Sequence, residues 1–377
     1  MTRHIVIITT SFPIDCDGSE AAGAFAHDFV ESLSRGTKVS VIAPGFRSEQ
    51  ETNNGISVYR YWTPRNKPLS TLNPLNPFQL MQILMVLVSG FRATSMLNKT
   101  TDSIDFVFCL WVFPSGLWGR WLAKSRNVQY GTWALGSDIW SLSKIPVLGQ
   151  VIKRILTKSS SNFADGFSLA SDVQTISGKH CDFLPSSRHI PIIEKKPNTQ
   201  GPFKLGFLGR WHENKGIDIL IDALSLLEDD DWSRINKVTL AGGGPLQDLV
   251  SSSVQELSSK GRAVELRGFL DQQQAADFIS EHDYILLPSR KDSIPVILSD
   301  AIRNYSPLIS TPVGDMPELI TKYNCGILSF GFSAVEFSEA IKMALSTAPG
   351  QFLKKREILI SDFSVDHSAA KLLENAG

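Results

Sequence analysis

Short apolar runs alternate with helical patterns along this chain, and the alternation runs through twice. In the first series the runs occupy residues 5–9, 39–43, 56–61, 106–109 and 128–132, with a helical stretch from about 23 to 34 between the first two. In the second they occupy 204–208, 237–241, 264–267, 284–287, 307–310 and 326–328. Ile217, Leu220, Ile221, Leu224 and Leu227 recur at helical spacing after the first of these, and Leu246, Leu249, Val250 and Leu257 after the second. Strands separated by helices form parallel sheets with helices on both faces. The predicted class is therefore α/β, with two doubly wound domains. The polar stretch EKKPNTQGP at 194–202 marks the join, after a first domain predicted over 1–198 and before a second over 199–349. Ligands of doubly wound sheets bind beyond the carboxyl ends of the strands, so the expected site is a cleft between the two domains.

Composition narrows the functional classes. The chain has 377 residues, 42% hydrophobic and 20% charged, which excludes disorder, collagen and coiled coil as the main architecture. A net charge of −1 argues against a dedicated nucleic-acid binder. The charge is uneven: residues 1–198 carry 20 Lys and Arg against 14 Asp and Glu, and the remainder 17 against 24. Either the basic front meets an anionic surface such as lipid, or the two domains differ by chance. Cys16, Cys109, Cys181 and Cys325 are scattered, so there is no CxxC pair, as suits a reducing cytosol. The start MTRHIVIITTSFP has too short an apolar run for a signal peptide. No transmembrane helix is expected, and residues 80–88 read as a buried or interfacial helix. The expected location is the cytoplasm or the inner face of its membrane.

Two segments point to chemistry. The predicted strand KLGFLGR ends in Gly209-Arg210, and Lys215-Gly216 opens the next helix. Two cations beside a helix N-terminus suit a diphosphate, Arg in bidentate fashion and Lys as a point charge. The plainer reading is two solvated surface cations. The second segment, PSRKDSIPVILSDAI, covers 288–302. Asp292 lies in its loop, a helix is predicted from Ile294 or Pro295, and Asp300 then falls ~9 Å further along the axis. The amides of Ser293, Ile294 and Val296 lie between the carboxylates. A ligand with hydroxyls at both ends and phosphate in the middle, a nucleotide-sugar, fits this spacing. An N-cap-like Asp and an exposed helical Asp would give the same letters.

The runs GFLGRWHENKGIDILIDAL, AGGGP, VELRGFL, SRKDSIPVILSDA and STPVGDMPELI, in that order, resemble the carboxyl-terminal half of the GT-B retaining glycosyltransferases of family 4, the glycosyl transferases group 1. Upstream, SFPIDCDGSEAAGAFAHDFVESLSRGTKVSVIAP is similar to the first strand, glycine loop and helix of that family, and WVFPSGLWGRWLA with TWALGSDIW to its acceptor-domain segments. The resemblance implies a GT-B fold of two Rossmann-like domains facing a central cleft, with residues 350–377 returning as a helix to the first through Phe363, Val365, Ala369 and Leu372. It implies hexose transfer from a nucleotide diphosphate-sugar, UDP- or GDP-type, with retention, to a polysaccharide or lipid-linked sugar. No cofactor and no metal are implied, because protein cations neutralise the departing diphosphate.

Carried over by position, Arg210 and Lys215 match the diphosphate cations. Asp292 and Asp300 match the ends of an E-x7-E motif, the first near the donor sugar and the second at the ribose. Gly209, Ser293, Ile294, Pro295 and Val296 fall on the donor side, and Gly23 matches the glycine loop. Trp111, Ser137 and Asp138 are acceptor-side candidates. The chain departs from the family pattern in several places. Both glutamates are aspartates, Leu135 stands where HGSD has its histidine, the glycine pair is reduced to Gly23, and a VGG turn reads Val313-Gly314-Asp315. These departures also admit a catalytically weak chain that acts as a binding or scaffolding subunit.

Other signals are weaker. Asp229-Asp230-Asp231 contains a D-x-D string that follows a helix rather than a strand, and it reads as a solvated loop. Gly242-Gly243-Gly244-Pro245 reads as a tight strand-to-helix turn lining the donor pocket. Trp111, Trp118, Trp121, Trp133 and Trp140 fall within thirty residues, either as core or as a sugar-stacking or lipid-adjacent surface. Arg120, Lys124, Arg126, Lys153, Arg154 and Lys158 could set the front domain peripherally on an anionic membrane.

Overall fold

In a computed structural model, which describes residues 3–14, 23–53, 55–64, 72 and 76–376, the chain divides into two compact units. Unit 1 holds residues 1–186 and 365–377, and unit 2 holds 187–364. The strands of unit 1 are β1 (His4–Ile8), β2 (Lys38–Gly45), β3 (Gln50–Asn53), β4 (Ile56–Trp62), β5 (Phe106–Leu110), β6 (Gln129–Ala134), β7 (Ser161–Ala164) and β8 (Asp182–Phe183). They form one sheet in the order β3-β4-β2-β1-β5-β6-β7-β8, parallel except for the β3–β4 pair. All five residues of β1 and of β5 are buried, which is why these central strands read as unbroken apolar runs.

Unit 2 has β9 (Phe203–Arg210), β10 (Ile235–Gly243), β11 (Val264–Arg267), β12 (Tyr284–Leu287), β13 (Leu308–Ser310) and β14 (Gly326–Leu328), all parallel in the order β11-β10-β9-β12-β13-β14. Its core sets Phe203, Leu205 and Phe207 of β9 against Leu220 and Leu224 of the helix Ile217–Ser225 and Ile341 of the helix Ala334–Leu345. Each such buried side chain contributes about 1.5–3 kcal/mol.

The unit boundaries differ from those predicted at 198 and 350. Residues 187–195 are strapped along unit 2: Ile193 N donates to Asn304 Oδ1 at 2.8 Å, and Lys195 Nζ to Ser306 Oγ at 2.8 Å. Burial lowers the Lys195 ammonium to about 8. At the other join, the helix Arg356–Asp362 stays in unit 2, with the Arg356 guanidinium 4.0 Å over the Tyr305 ring. Only the helix Val365–Asn375 joins unit 1, where it buries Val365, Ala369 and Leu372 in the core. Phe363 packs on Tyr323 within unit 2 instead.

The segment around 80–88 belongs to a longer helix, Pro77–Thr100. Asn76 caps it by accepting from Phe78 N and Gln79 N, and Pro77 sits at its first position. With mean hydropathy 1.5 and 24 residues, this helix is long and apolar enough by length and composition to cross a membrane, a test that core helices also pass. One face nonetheless belongs to the unit 1 core: Val86, Ser89, Gly90, Ala93, Thr94 and Leu97 are buried. Gly90 is required there, since a Cβ would lie 2.1 Å from the Trp118 ring.

Candidate functional site

The site expected in unit 2 lies at the carboxyl edge of its sheet. Gly209 and Arg210 end β9, and the turn after β10 closes against them. A Cβ on Gly242 would lie 2.0 Å from Gly209 O, and Trp211 N donates to Gly243 O at 2.9 Å. The helix Gln247–Ser259 follows; Gly242 and Gly243 still belong to β10, and the strand-to-helix turn that the sequence predicts begins only at Gly244-Pro245. Arg210 is exposed, with no carboxylate partner among the described residues.

Lys215 closes the turn Glu213–Lys215, and Gly216, at φ +66°, begins the helix Ile217–Ser225. A Cβ on Gly216 would meet Pro288 O at 1.8 Å, so only glycine lets this turn lie on the end of β12. That approach brings Lys215 to the loop after β12, where its Nζ donates to Asp292 Oδ1 and Oδ2 at 2.7 and 2.9 Å. Both side chains remain partly exposed, at 38% and 18%.

Arg290 locks the same two segments together. Its guanidinium donates in bidentate fashion to Asp218 at 2.7 and 2.6 Å and to Glu213 O at 2.8 Å, while Arg290 N donates to Asn214 O. Burial pushes the Asp218 carboxyl up, but the Arg290 bonds and charge outweigh it and hold the group below its ordinary value.

The loop 292–296 rests on the turn Val313-Gly314-Asp315. Gly314 has φ +52°, and a Cβ there would lie 2.4 Å from Asp292 O and 2.0 Å from Ser293 O. Asp315 N donates to Ser293 O at 3.2 Å. Ser293, Ile294 and Pro295 are buried and Val296 is half-buried, rather than presenting an open run of amides. The helix begins later than predicted, at Ile297–Arg303, because Leu298 N reaches only to Pro295 O and the α-helical ladder starts with Asp300 N to Val296 O. Asp300 therefore sits in the first turn and is 1% exposed, which excludes an exposed helical Asp. Its Oδ2 accepts from Arg188 Nε at 2.6 Å. The two acidic positions thus differ in kind, Asp292 paired at the rim and Asp300 buried with a cation from the segment after residue 186.

Unit 1 places its candidates differently. Gly23 is the left-handed N-terminal residue of the helix Ala24–Ser34, at φ +83°, and a Cβ there would meet Phe12 N at 2.6 Å. Residues 15–22 of the glycine loop lie outside the described residues. Arg60, almost wholly buried, holds the strand-side end of that loop by donating to Pro13 O at 2.8 Å and Ile14 O at 3.2 Å. Asp138 is buried rather than open to an acceptor: Oδ2 accepts from Val112 N at 2.7 Å and Oδ1 from Leu135 N at 3.3 Å. Burial pushes its carboxyl up to about 6 against the pull of those amides. Ser137 is exposed at the start of the short helix Ser137–Trp140, and Leu135 is half-buried. Trp111 is half-buried with φ +61°, its ring edge-on to Phe25 at 5.7 Å. Of the tryptophan cluster, Trp118 and Trp133 are core, while Trp121 is exposed.

Residues 202–347 match the family described as Glycosyl transferases group 1. TuaC of Bacillus subtilis, by name a teichuronic acid biosynthesis glycosyltransferase, is 24% identical over 376 residues, covering 89% of this chain and 88% of that protein. The D-inositol 3-phosphate glycosyltransferase of Corynebacterium aurimucosum is 24% identical over 181 residues, and the match spans only 45% of this chain and 42% of the relative's length. Among solved structures, sucrose-phosphate synthase of Thermosynechococcus elongatus superposes with TM-score 0.71 at 17% identity, over 99% of this chain and 98% of that one. Anabaena HepE in complex with UDP-glucose gives 0.69 at 16% identity, over 98% of each. The fold is that of the GT-B glycosyltransferases, and residues 202–347 resemble their group 1 family.

In unit 2 the D-x-D string is not a loop but the first turn of the short helix Asp229–Ser233, its carboxylates spent on Arg262 (2.5 Å from Asp229), on Arg234 (2.9 Å from Asp230) and, for Asp231, on Glu228 N. Among the described residues one group, His27, Asp28 and Glu31, brings potential metal-ligand atoms within 4.8 Å of one another, all on the helix Ala24–Ser34. Arg188, Arg290 and Arg60 are the functional-site neighbours that sequence reasoning missed. Arg290 had a local signal, a cation two residues before Asp292. Arg188 is 112 residues from its partner, and no spacing rule connects the two.

Proposed function

We propose that this glycosyltransferase moves a hexose from a UDP- or GDP-type sugar to a polysaccharide or lipid-linked sugar, with retention of configuration and without a metal. The observation that carries the reading is the Lys215–Asp292 pair, with the exposed Arg210 ending β9, at the carboxyl edge of a sheet matched by the group 1 family. In the proposed chemistry Arg210 and Lys215 meet the charge that builds on the departing diphosphate. Asp292 holds Lys215 in place and lies next to the sugar, and a phosphate oxygen of the leaving group takes the acceptor's proton. Asp300 serves the ribose end. HepE, whose complexes contain UDP and UDP-glucose, and a starch synthase bound to ADP support a nucleoside diphosphate as the donor moiety. The proposed location is the cytoplasm at the inner face of the membrane, where a lipid-linked acceptor and basic unit 1 would meet.

The test is a thermal-shift comparison of UDP, GDP and ADP, followed by hydrolysis and transfer assays with the matching sugars. A ligand at 100 times its Kd stabilises by about 2.7 kcal/mol. A second reading, a catalytically weak scaffolding subunit, is favoured by Asp300 already being held by Arg188. Nucleotide binding without turnover of any nucleotide-sugar would select it.

A further inference from the structure

The helix Pro77–Thr100 changes character halfway along. Its second half is anchored to unit 1: Trp118 lies against Gly90, Phe91 packs edge-on to Trp121 at 6.1 Å, and the Arg126 guanidinium donates to Asn98 and to Thr101 O. Its first half leaves Phe78, Leu80, Met81, Leu84, Met85 and Val88 exposed, Phe78 at 73% and Met81 at 57%. At about 100° per residue these six fall on one side, over a length of roughly 15 Å. The same side continues beyond Val88 as Arg92, Met96 and Lys99, all exposed. One stripe therefore runs from apolar to basic along a single helix.

The charge around it is one-sided. Between Glu51 and Asp102 the chain has no acidic residue, and residues 52–164 carry 12 Lys and Arg against 3 Asp and Glu. One of those three, Asp138, is buried. Arg120, Trp121 and Lys124 are exposed on the neighbouring helix Ser115–Arg126. An indole with one wet edge and long cationic side chains beside an apolar strip match the boundary between headgroups and acyl chains.

We propose that the exposed side of Pro77–Val88 inserts into the acyl region of an anionic lipid surface, with Arg92, Lys99, Arg120 and Lys124 on the headgroups. A spanning orientation is excluded by the opposite face, which is unit 1 core. A second copy of this chain is disfavoured, because a two-fold contact would place one basic surface against another, whereas anionic headgroups neutralise it. The proposal gives the membrane contact of the preceding section a surface, but vesicle binding is read without donor or acceptor. It therefore stands or falls independently of the transfer reaction.

The experiment is flotation of the full chain with vesicles of phosphatidylcholine alone or containing phosphatidylglycerol. The chain should float with the anionic vesicles, ~10-fold more weakly with the neutral ones, and the binding should weaken with salt. The triple variant Met81→Ser, Leu84→Ser, Met85→Ser should lose ~10-fold or more in partitioning. Arg92→Glu with Lys124→Glu should remove the anionic preference. Both variants should keep the parent's thermal midpoint, which separates lost docking from lost folding. A single Met85→Cys variant carrying an environment-sensitive dye should blue-shift on anionic vesicles. Absence of binding to any vesicle, or a dimer in light scattering that the triple variant dissolves, would overturn the proposal.

Discussion

The two units share an architecture but hold the carboxylates of their candidate sites differently. In unit 2 the acidic groups near the carboxyl edge of the sheet are matched by side-chain cations: Asp292 by Lys215, Asp218 by Arg290, Asp300 by Arg188. In unit 1 Asp138 is matched only by backbone amides, those of Val112 and Leu135, with an aromatic wall of Phe25, Trp111 and Trp133 nearby. Ion pairs between loops can exchange partners when a charged ligand arrives. A carboxylate folded onto amides fixes a loop and is not available to exchange.

The largest effect should come from breaking the most buried pair. Asp300→Ala leaves the Arg188 guanidinium largely buried without its carboxylate, and urea unfolding should show a loss of about 3–5 kcal/mol. A loss under about 1 kcal/mol would mean the pair is not structural and frees Asp300 for a purely ligand-facing role.

Asp138 tests the other side of the comparison. Its raised value means the folded state keeps a proton that the unfolded chain has released, so stability present at low pH is lost as pH climbs from about 4 to about 6. At 1.36 kcal/mol per pH unit the difference from an ordinary 3.8 amounts to at most about 3 kcal/mol. Asp138→Asn cannot titrate, so its stability relative to the parent should rise across that window and stay level above it. A flat difference would show that the parent carboxyl titrates normally.

The exposed pair should matter for turnover and not for folding. Arg210→Ala and Lys215→Ala should each lower turnover ~10²-fold with little change in unfolding midpoint, equivalent to about 2.7 kcal/mol. Asp292→Ala should reduce turnover more than it weakens nucleoside diphosphate binding by calorimetry. Near-parental rates in both cation variants would move the donor site elsewhere. The smallest effect is expected from chelation, where activity in EDTA should equal that without it. A loss restored by Mg²⁺ would return attention to the carboxylates of Asp229 and Asp230.

What was legible in the sequence follows from where the information is local. β1, β5 and β12 are buried on both faces and β9 is buried over 205–207, so their apolar runs announce them. β3, with the letters QETN, is a polar antiparallel edge and has no such pattern. β7 hides a polar pair: Asn162 is buried because it accepts from Thr132 Oγ1 at 2.7 Å, a bond that joins residues 30 apart. In the site, Lys215 and Asp292 could be named from their turns, but their pairing depends on Gly216 passing against Pro288. The start at Ile297 was misread because proline favours a first helical position, and here Pro295 serves the preceding turn instead. Asp138 is an acceptor-side candidate through the resemblance, and its burial depends on the amide of Val112, 26 residues away, which no local pattern signals.

The helix Val365–Asn375 completes unit 1 only after unit 2 has been made. Ser32 and Arg35 wait for Asp366, and the groove lined by Val30 and Leu33 waits for Ala369 and Leu372, across 178 residues of intervening chain. At ribosomal speeds of about 5–20 residues per second, that interval is roughly 10–35 s. During it unit 2, continuous in sequence, can fold whole, while unit 1 holds an apolar groove that a chaperone can occupy.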